Sequence, residues 1–169
     1  GVEAQTEALF HALVKANIPV LFVVNKLDRP GVDLEQLLHE IQELSPRAVS
    51  LQVLQRADDE EIEILPRDFS DARFQEECVL ALADSDESLF SEYMDQGLLP
   101  EPRLRQALHK QLNGACLFPI LYTSAAQSKG VRELCDYISR EIVPSRNSSS
   151  GKLSAVVYKL SHDPSVGKV

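Results

Sequence analysis

The sequence predicts an α/β fold with a mostly parallel sheet, and three observations carry that expectation. Two apolar runs, Val20 to Val24 and Cys116 to Tyr122, lack the alternation of a half-exposed strand, as strands covered on both faces do. Apolar stripes at helical spacing lie before and after each run, which is the order of elements in an α/β domain. Each run is followed by a polar cluster, and in open α/β sheets ligands bind beyond the carboxyl ends of the strands.

Taken in order, Thr6 to Ala16 sets Leu9, Leu13 and Val14 beside small alanines, an amphipathic helix that Asn17 ends. Pro19 opens the first strand. After the turn at Arg29-Pro30-Gly31, Asp33 is placed to cap a helix in which Leu34, Leu37, Leu38, Ile41 and Leu44 recur at three and four, until Ser45-Pro46 stops it. Arg47 to Gln55 alternates, with Val49, Leu51 and Val53 facing one way, and reads as one half-buried strand. Phe74 to Ala83 and Glu87 to Met94 read as short helices, Gly97 as a terminator, and Pro102 as the start of a helix carrying Leu104, Leu108 and Leu112, closed by Gly114. Beyond the second run, Gly130 leads into Val131, Leu134, Tyr137, Ile138 and Ile142, a stripe that ends near Pro144. Ser145 to Gly151 has the composition of a connector, and Leu153 to Leu160 resumes with β-branched residues, so a second unit is expected from about Lys152.

The chain has 169 residues, 44% of them hydrophobic and 25% charged, which suits one globular domain with an appendage and excludes collagen-like or wholly disordered readings. The longest apolar run, Ile18 to Val24, is far short of the ~20 residues of a membrane span, and no basic-then-apolar leader opens the chain. A cytoplasmic protein without membrane contact is expected. Cys78, Cys116 and Cys135 are an odd count with no C-x-x-C pair and are expected as three buried thiols. The net charge of −9 argues against a general grip on nucleic-acid phosphates. It is unevenly placed: Ala57 to Glu101 holds fifteen acids against Arg67 and Arg73, whereas the rest of the chain is net positive. That segment reads as a solvated, self-repelling insertion or as a surface for a basic partner, and composition does not choose between them.

Asn25-Lys26-Leu27-Asp28 follows the first strand directly. A carboxylate there can accept two parallel hydrogen bonds from guanine's ring N–H and exocyclic amino group, a donor pair that adenine lacks, so Asp28 would select guanine. Thr123-Ser124-Ala125-Ala126 follows the second strand, where the small Ala125 lets its backbone N–H approach a ring oxygen and the Ser124 hydroxyl can steady a nearby carboxylate. Either cluster alone is weak, since a polar loop whose Asp caps the next turn would look the same. Their order and positions at strand ends give them weight together.

With these clusters the chain resembles the translational GTPases of the elongation factor G type. Gly1-Val2-Glu3-Ala4-Gln5-Thr6, Ile18-Pro19 and Asn25 to Gly31 carry the resemblance, and Tyr122 to Val131 is similar to the family's last guanine-contacting motif. Leu9 to Leu13, with Phe10 where elongation factor G usually has Trp, looks more like the tetracycline-resistance ribosomal protection proteins, as do Leu89 to Met94 and Cys116 to Pro119. Ala155 to Lys159, Asp163-Pro164 and Gly167-Lys168 look like the first hairpin of the family's β-barrel second domain.

The resemblance implies a partial P-loop GTPase domain over 1–145, with a three-layer, mostly parallel sheet and an acidic α-rich insertion at about 47–113. A linker would follow at 146–152, and the start of the barrel at 153–169. It implies that Asn25 holds the base edge, Lys26 lays its stem along the ring, Asp28 reads guanine, Ser124 braces Asp28, and the Ala125 backbone, with Ala126 beside it, meets the guanine oxygen. GTP or GDP would be the ligand, with Mg²⁺ held by residues upstream of Gly1. The ribosome would be the partner, and a basic stalk protein would meet the acidic insertion. No G-x-x-x-x-G-K-[ST] phosphate loop is present, so this chain is expected to be inactive alone and to belong to a larger GTPase. That parent would protect the ribosome from tetracycline or, alternatively, act as an elongation factor G-type translocase. The competing class is a non-enzymatic acidic interaction module. His11, His39, His109 and His162 have no partners at metal-ligand spacing, and no Ser lies in a G-x-S-x-G elbow.

Overall fold

The computed structural model describes residues 1–56 and 62–144, with the backbone of 162–163 and 167–168. The expected connector at 145–151, the strand at 153–160 and the acidic run Asp58 to Glu61 lie outside the described residues. The first helix, α1 (Ala4–Lys15), ends where Asn17 takes a φ of +54° and the Ile18 N–H turns back to Leu13 O at 3.0 Å. Then come β1 (Phe22–Val24) and α2 (Leu34–Leu44), the latter capped by Asp33, whose carboxylate accepts from the Gln36 N–H at 2.9 Å. After β2 (Ala48–Ser50) the chain makes β3 (Gln52–Arg56) and β4 (Ile62–Pro66), and the helices α3 (Ala72–Leu82), α4 (Glu87–Gln96) and α5 (Glu101–Asn113) follow. The domain closes with β5 (Phe118–Tyr122), a 3₁₀ turn at Ala125–Gln127 and α6 (Val131–Glu141). Farther on, β6 (His162–Asp163) pairs antiparallel with β7 (Gly167–Lys168).

The central sheet has the order β1-β5-β2 and is parallel throughout, with Val24 opposite Tyr122 and Ser50 opposite Ile120. This is the α/β architecture expected. On one face, Val24, Ile120, Tyr122 and Phe118 pack with Phe10 of α1 and Ile41 of α2. Phe10 supplies the buried anchor of α1, its ring 4.8 Å from that of Phe118, whereas Leu9 of the expected stripe stands 56% exposed. On the other face Leu121 is buried, but its neighbour Val23 is 43% exposed. The first strand is therefore covered on one face rather than both, with Val23 of β1 left open on the other.

Arg47 to Gln55 is two strands, not one. Val49 is buried in the sheet, whereas Val53 belongs to the antiparallel β3–β4 hairpin and is exposed, because the chain leaves the sheet after Ser50. β4 is not apparent from the sequence pattern: its Ile62 and Ile64 stand among acids that mask the strand. The acidic segment also departs from a merely solvated insertion. Phe74, Cys78, Leu82, Leu89 and Leu104 are completely buried in a core of their own, joined to the sheet side by Val49 and Leu117. Its described acids lie mostly on the outer faces and at caps, Asp71 receiving the Arg73 and Phe74 N–H groups and Asp86 that of Leu89. Only one of the three expected buried thiols is buried. Burial pushes Cys78 up to about 12, while Cys116 is half-buried and Cys135 is exposed on α6, a helix with no fully buried residue.

Candidate functional site

The ends of β1 and β5 are stitched side by side, the Thr123 N–H donating to Val24 O at 2.8 Å, so the two polar clusters emerge next to each other. Asn25 follows β1 and uses its side-chain oxygen as a hub. Oδ1 accepts from the Lys26 N–H at 2.8 Å, the Ala125 N–H at 3.0 Å and the Thr123 hydroxyl at 3.2 Å. Lys26 takes a φ of +66°, a conformation that a non-glycine residue adopts at a cost; the Asn25 contact and the Arg29 N–H on Lys26 O at 3.1 Å hold it there. Leu27 is 1% exposed and plugs into the sheet-side core, which anchors the loop and leaves Asn25 and Lys26 on the surface.

Asp28 is reached from the second cluster. The hydroxyl of Ser124, which is completely buried, donates to Asp28 Oδ1 at 2.6 Å, across 96 residues of sequence. That hydrogen bond holds the Asp28 carboxyl below its ordinary range, and its own backbone N–H and the Arg29 charge add to the effect. A carboxylate has lone pairs enough to keep the Ser124 bond and still receive two N–H donors from a ligand. The loop after β5 is closed by a reciprocal pair, Ser124 N–H to Lys129 O at 2.9 Å and Lys129 N–H to Ser124 O at 3.0 Å, around the exposed Ala125 and Ala126. Gly130 has a φ of +72°, and a Cβ there would stand 2.3 Å from Tyr122 O, so only glycine fits.

All six residues singled out in the sequence thus share one end of the sheet. The Ala125 N–H, expected to face a ring oxygen, here donates to Asn25 and ties the two loops together. Sequence reasoning assigned no role to Thr123 or Leu27. A lone Leu between Lys26 and Asp28 is the signal that would have found the anchor. Three of the four histidines are described with side chains and stay apart from the site: His11 and His39 face Glu7 and Glu43 one turn away, and His109 Nδ1 lies 3.0 Å from Glu141. Among the described residues no three His, Cys, Asp or Glu side chains converge as for a metal ion. A cleft of about 540 Å³ runs between the hairpin, α5 and α6, away from these loops, and its arginines (Arg67, Arg105, Arg140) are balanced by Glu133, Asp136 and Glu141. It offers no charge preference for a ligand.

Adjacent parallel strands ending in interlocked polar loops, one presenting an ionised carboxylate, define a class: an α/β domain of the nucleotide-binding kind. Residues 1–144 match the family "Elongation factor Tu GTP binding domain", and the chain belongs to that family. It is 29% identical to the tetracycline resistance protein TetM of Ureaplasma urealyticum over 163 residues, and 26% identical to TetW of Butyrivibrio fibrisolvens. Each alignment takes in 96% of this chain and 24% of the relative, so the chain spans about a quarter of their length. The crystal structure of a Thermus thermophilus protein, ttk003000868, shares the fold at a TM-score of 0.71 and 22% identity, over 99% of this chain and 29% of that one.

Proposed function

We propose that the chain is the base-recognising part of a ribosome-dependent translational GTPase that protects the ribosome from tetracycline. The observation that carries this reading is the clasp between the loops, Ser124 on Asp28 at 2.6 Å and Ala125 on Asn25 at 3.0 Å. It fixes a carboxylate where the ring N–H and exocyclic amino group of guanine can both reach it. Asn25 and Lys26 flank the base edge and ring face, and the Ala125 N–H, with Ala126 beside it, shares its proton between Asn25 and the ring oxygen. An unpartnered carboxylate facing adenine would be disfavoured, which is the basis of selection. The domain boundaries follow the same reading, with the GTP-binding domain to about 145, a linker over 146–152 and a barrel from 153.

GTP or GDP is the ligand. No residue of this chain is assigned to Mg²⁺, and phosphate binding and hydrolysis belong to parts of the protein outside this chain, which alone is inactive. The relatives' shared name, tetracycline resistance protein, supports that role for the whole protein, whose place of action in this reading is the cytoplasm. The acidic segment would meet a basic ribosomal protein such as one of the stalk. The test is nucleotide competition and hydrolysis in the full-length protein. Guanine nucleotides should displace a fluorescent GDP analogue far better than adenine nucleotides, and ribosomes should stimulate GTP hydrolysis. Equal binding of the two bases would reject the reading, and guanine preference without ribosome stimulation would reject its second half.

A further inference from the structure

We infer that the β3–β4 hairpin positions the guanine-reading loop, with Gln52 and Ile64 as positioning residues, and thereby sets how tightly the base is held. The inference rests on the guanine assignment above. β5 is the middle strand, and on its β1 side the ladder runs to the end, Thr123 N–H to Val24 O. On its other side β2 stops at Ser50, and the last backbone bond is the Leu51 N–H on Ile120 O at 3.2 Å. The next inward N–H, that of Tyr122, has no strand opposite it. Gln52, 8% exposed, fills the gap: its Oε1 accepts the Tyr122 N–H at 2.8 Å, in the place of the carbonyl that a longer β2 would have supplied. Ser50 Oγ lies 2.8 Å from both Gln52 O and Tyr122 Oη and secures the same corner.

The far stem of the loop leans on the hairpin as well. Lys129 Nζ donates to Ile62 O at 2.9 Å, and the Ile64 side chain comes within 3.0 Å of the point where a Cβ on Gly130 would stand. Tyr122 therefore enters the loop held by β3, and Lys129-Gly130 leaves it held by β4. Ser124 and Ala125, the two residues that clasp Asp28 and Asn25, sit between these supports. None of the hairpin residues named touches the clasp itself. They act through the loop, so loosening them should weaken base binding without altering the reaction of bound GTP.

The experiment compares Gln52→Met, Gln52→Glu and Ile64→Ala in the full-length protein, measuring the GDP dissociation constant, kcat at saturating GTP and amide hydrogen exchange over 123–130. Gln52→Met removes the acceptor and Gln52→Glu keeps one. The expected result is about tenfold weaker GDP binding and faster loop exchange for Gln52→Met and Ile64→Ala, with kcat unchanged and Gln52→Glu restored toward the parent. If Ile64→Ala fails to fold, Ile64→Val should show a smaller loss in the same direction. Unchanged GDP affinity in Gln52→Met and Ile64→Ala, with guanine still preferred over adenine, overturns the positioning role and leaves the guanine assignment standing. Equal loss in Gln52→Met and Gln52→Glu overturns the role of the acceptor. Absence of guanine preference in the unsubstituted protein overturns both.

Discussion

The sheet side and the helical side of this molecule bury similar apolar residues but use their polar ones differently. In the helical unit Gln75 is 1% exposed and its amide is fully engaged within the unit, Nε2 on Phe69 O at 2.7 Å and Leu99 O at 2.8 Å, Oε1 taking the Leu99 N–H at 2.7 Å. At the sheet end Asn25 and Asp28 are also held by hydrogen bonds, yet Asn25 stands at the surface, and the half-buried Asp28 keeps acceptor capacity beyond its Ser124 bond. A polar group whose partners are all internal fixes structure. One that is oriented by its neighbours and left with capacity toward solvent is prepared for a ligand.

That contrast breaks most sharply at Phe74. It is fully buried among α3, α4 and α5 residues, and Phe74→Ala should cost about 3–5 kcal/mol, read by chemical denaturation. A loss under about 1 kcal/mol would mean that the helical unit is not held by its own core. In the site loop, Gly130 combines conformation with space: its φ is +72°, and a Cβ there collides with Tyr122 O. Gly130→Ala should destabilise by clearly more than the ~1–2 kcal/mol that the left-handed conformation alone costs an L-residue, read by chemical denaturation, and its amide shift changes should centre on Ser124 and Ala125. A cost of only ~1–2 kcal/mol would show that the loop yields where the structure says it cannot.

The smallest effect is electrostatic. Asp28 has its carboxyl pKa lowered by the Ser124 hydroxyl, so the stabilisation that the contact gives is complete above the ordinary carboxylate value and fades as pH falls through the lowered one. Ser124→Ala should move the Asp28 titration, followed by carboxyl-carbon NMR, up toward the ordinary ~3.9. A titration that stays low would assign the shift to the backbone and Arg29 instead.

The strand–helix order, the Asp33 cap, the Asn17 stop and the two polar clusters are all legible in the sequence, because each rests on a local cue: an apolar run, a capping residue or a strand end. The fold class follows from the same cues. What escapes such cues is non-local. Whether Arg47 to Gln55 is one strand or two depends on Ser50 pairing with Ile120 and Val53 with Leu65, and alternation carries no sign of that division. The core of the acidic segment is hidden by its charge, which reports on its outer faces and not on Phe74 or Leu104. At the site, the residue types are readable but their grip is not. That Asn25 binds Thr123 and Ala125, and that Gln52 finishes the β5 ladder, are contacts spanning 70 to 100 residues.

The most direct test of the central claim is Asp28→Asn in the full-length protein, with guanine and xanthine nucleotides competing for the site. The amide keeps the size of the side chain but replaces one acceptor oxygen by a donor, which suits the ring carbonyl that xanthine carries where guanine has its amino group. Weakened guanine binding and a preference turned toward xanthine are the predicted result. Undiminished guanine selectivity in that variant would contradict the assignment of Asp28 and the central claim with it.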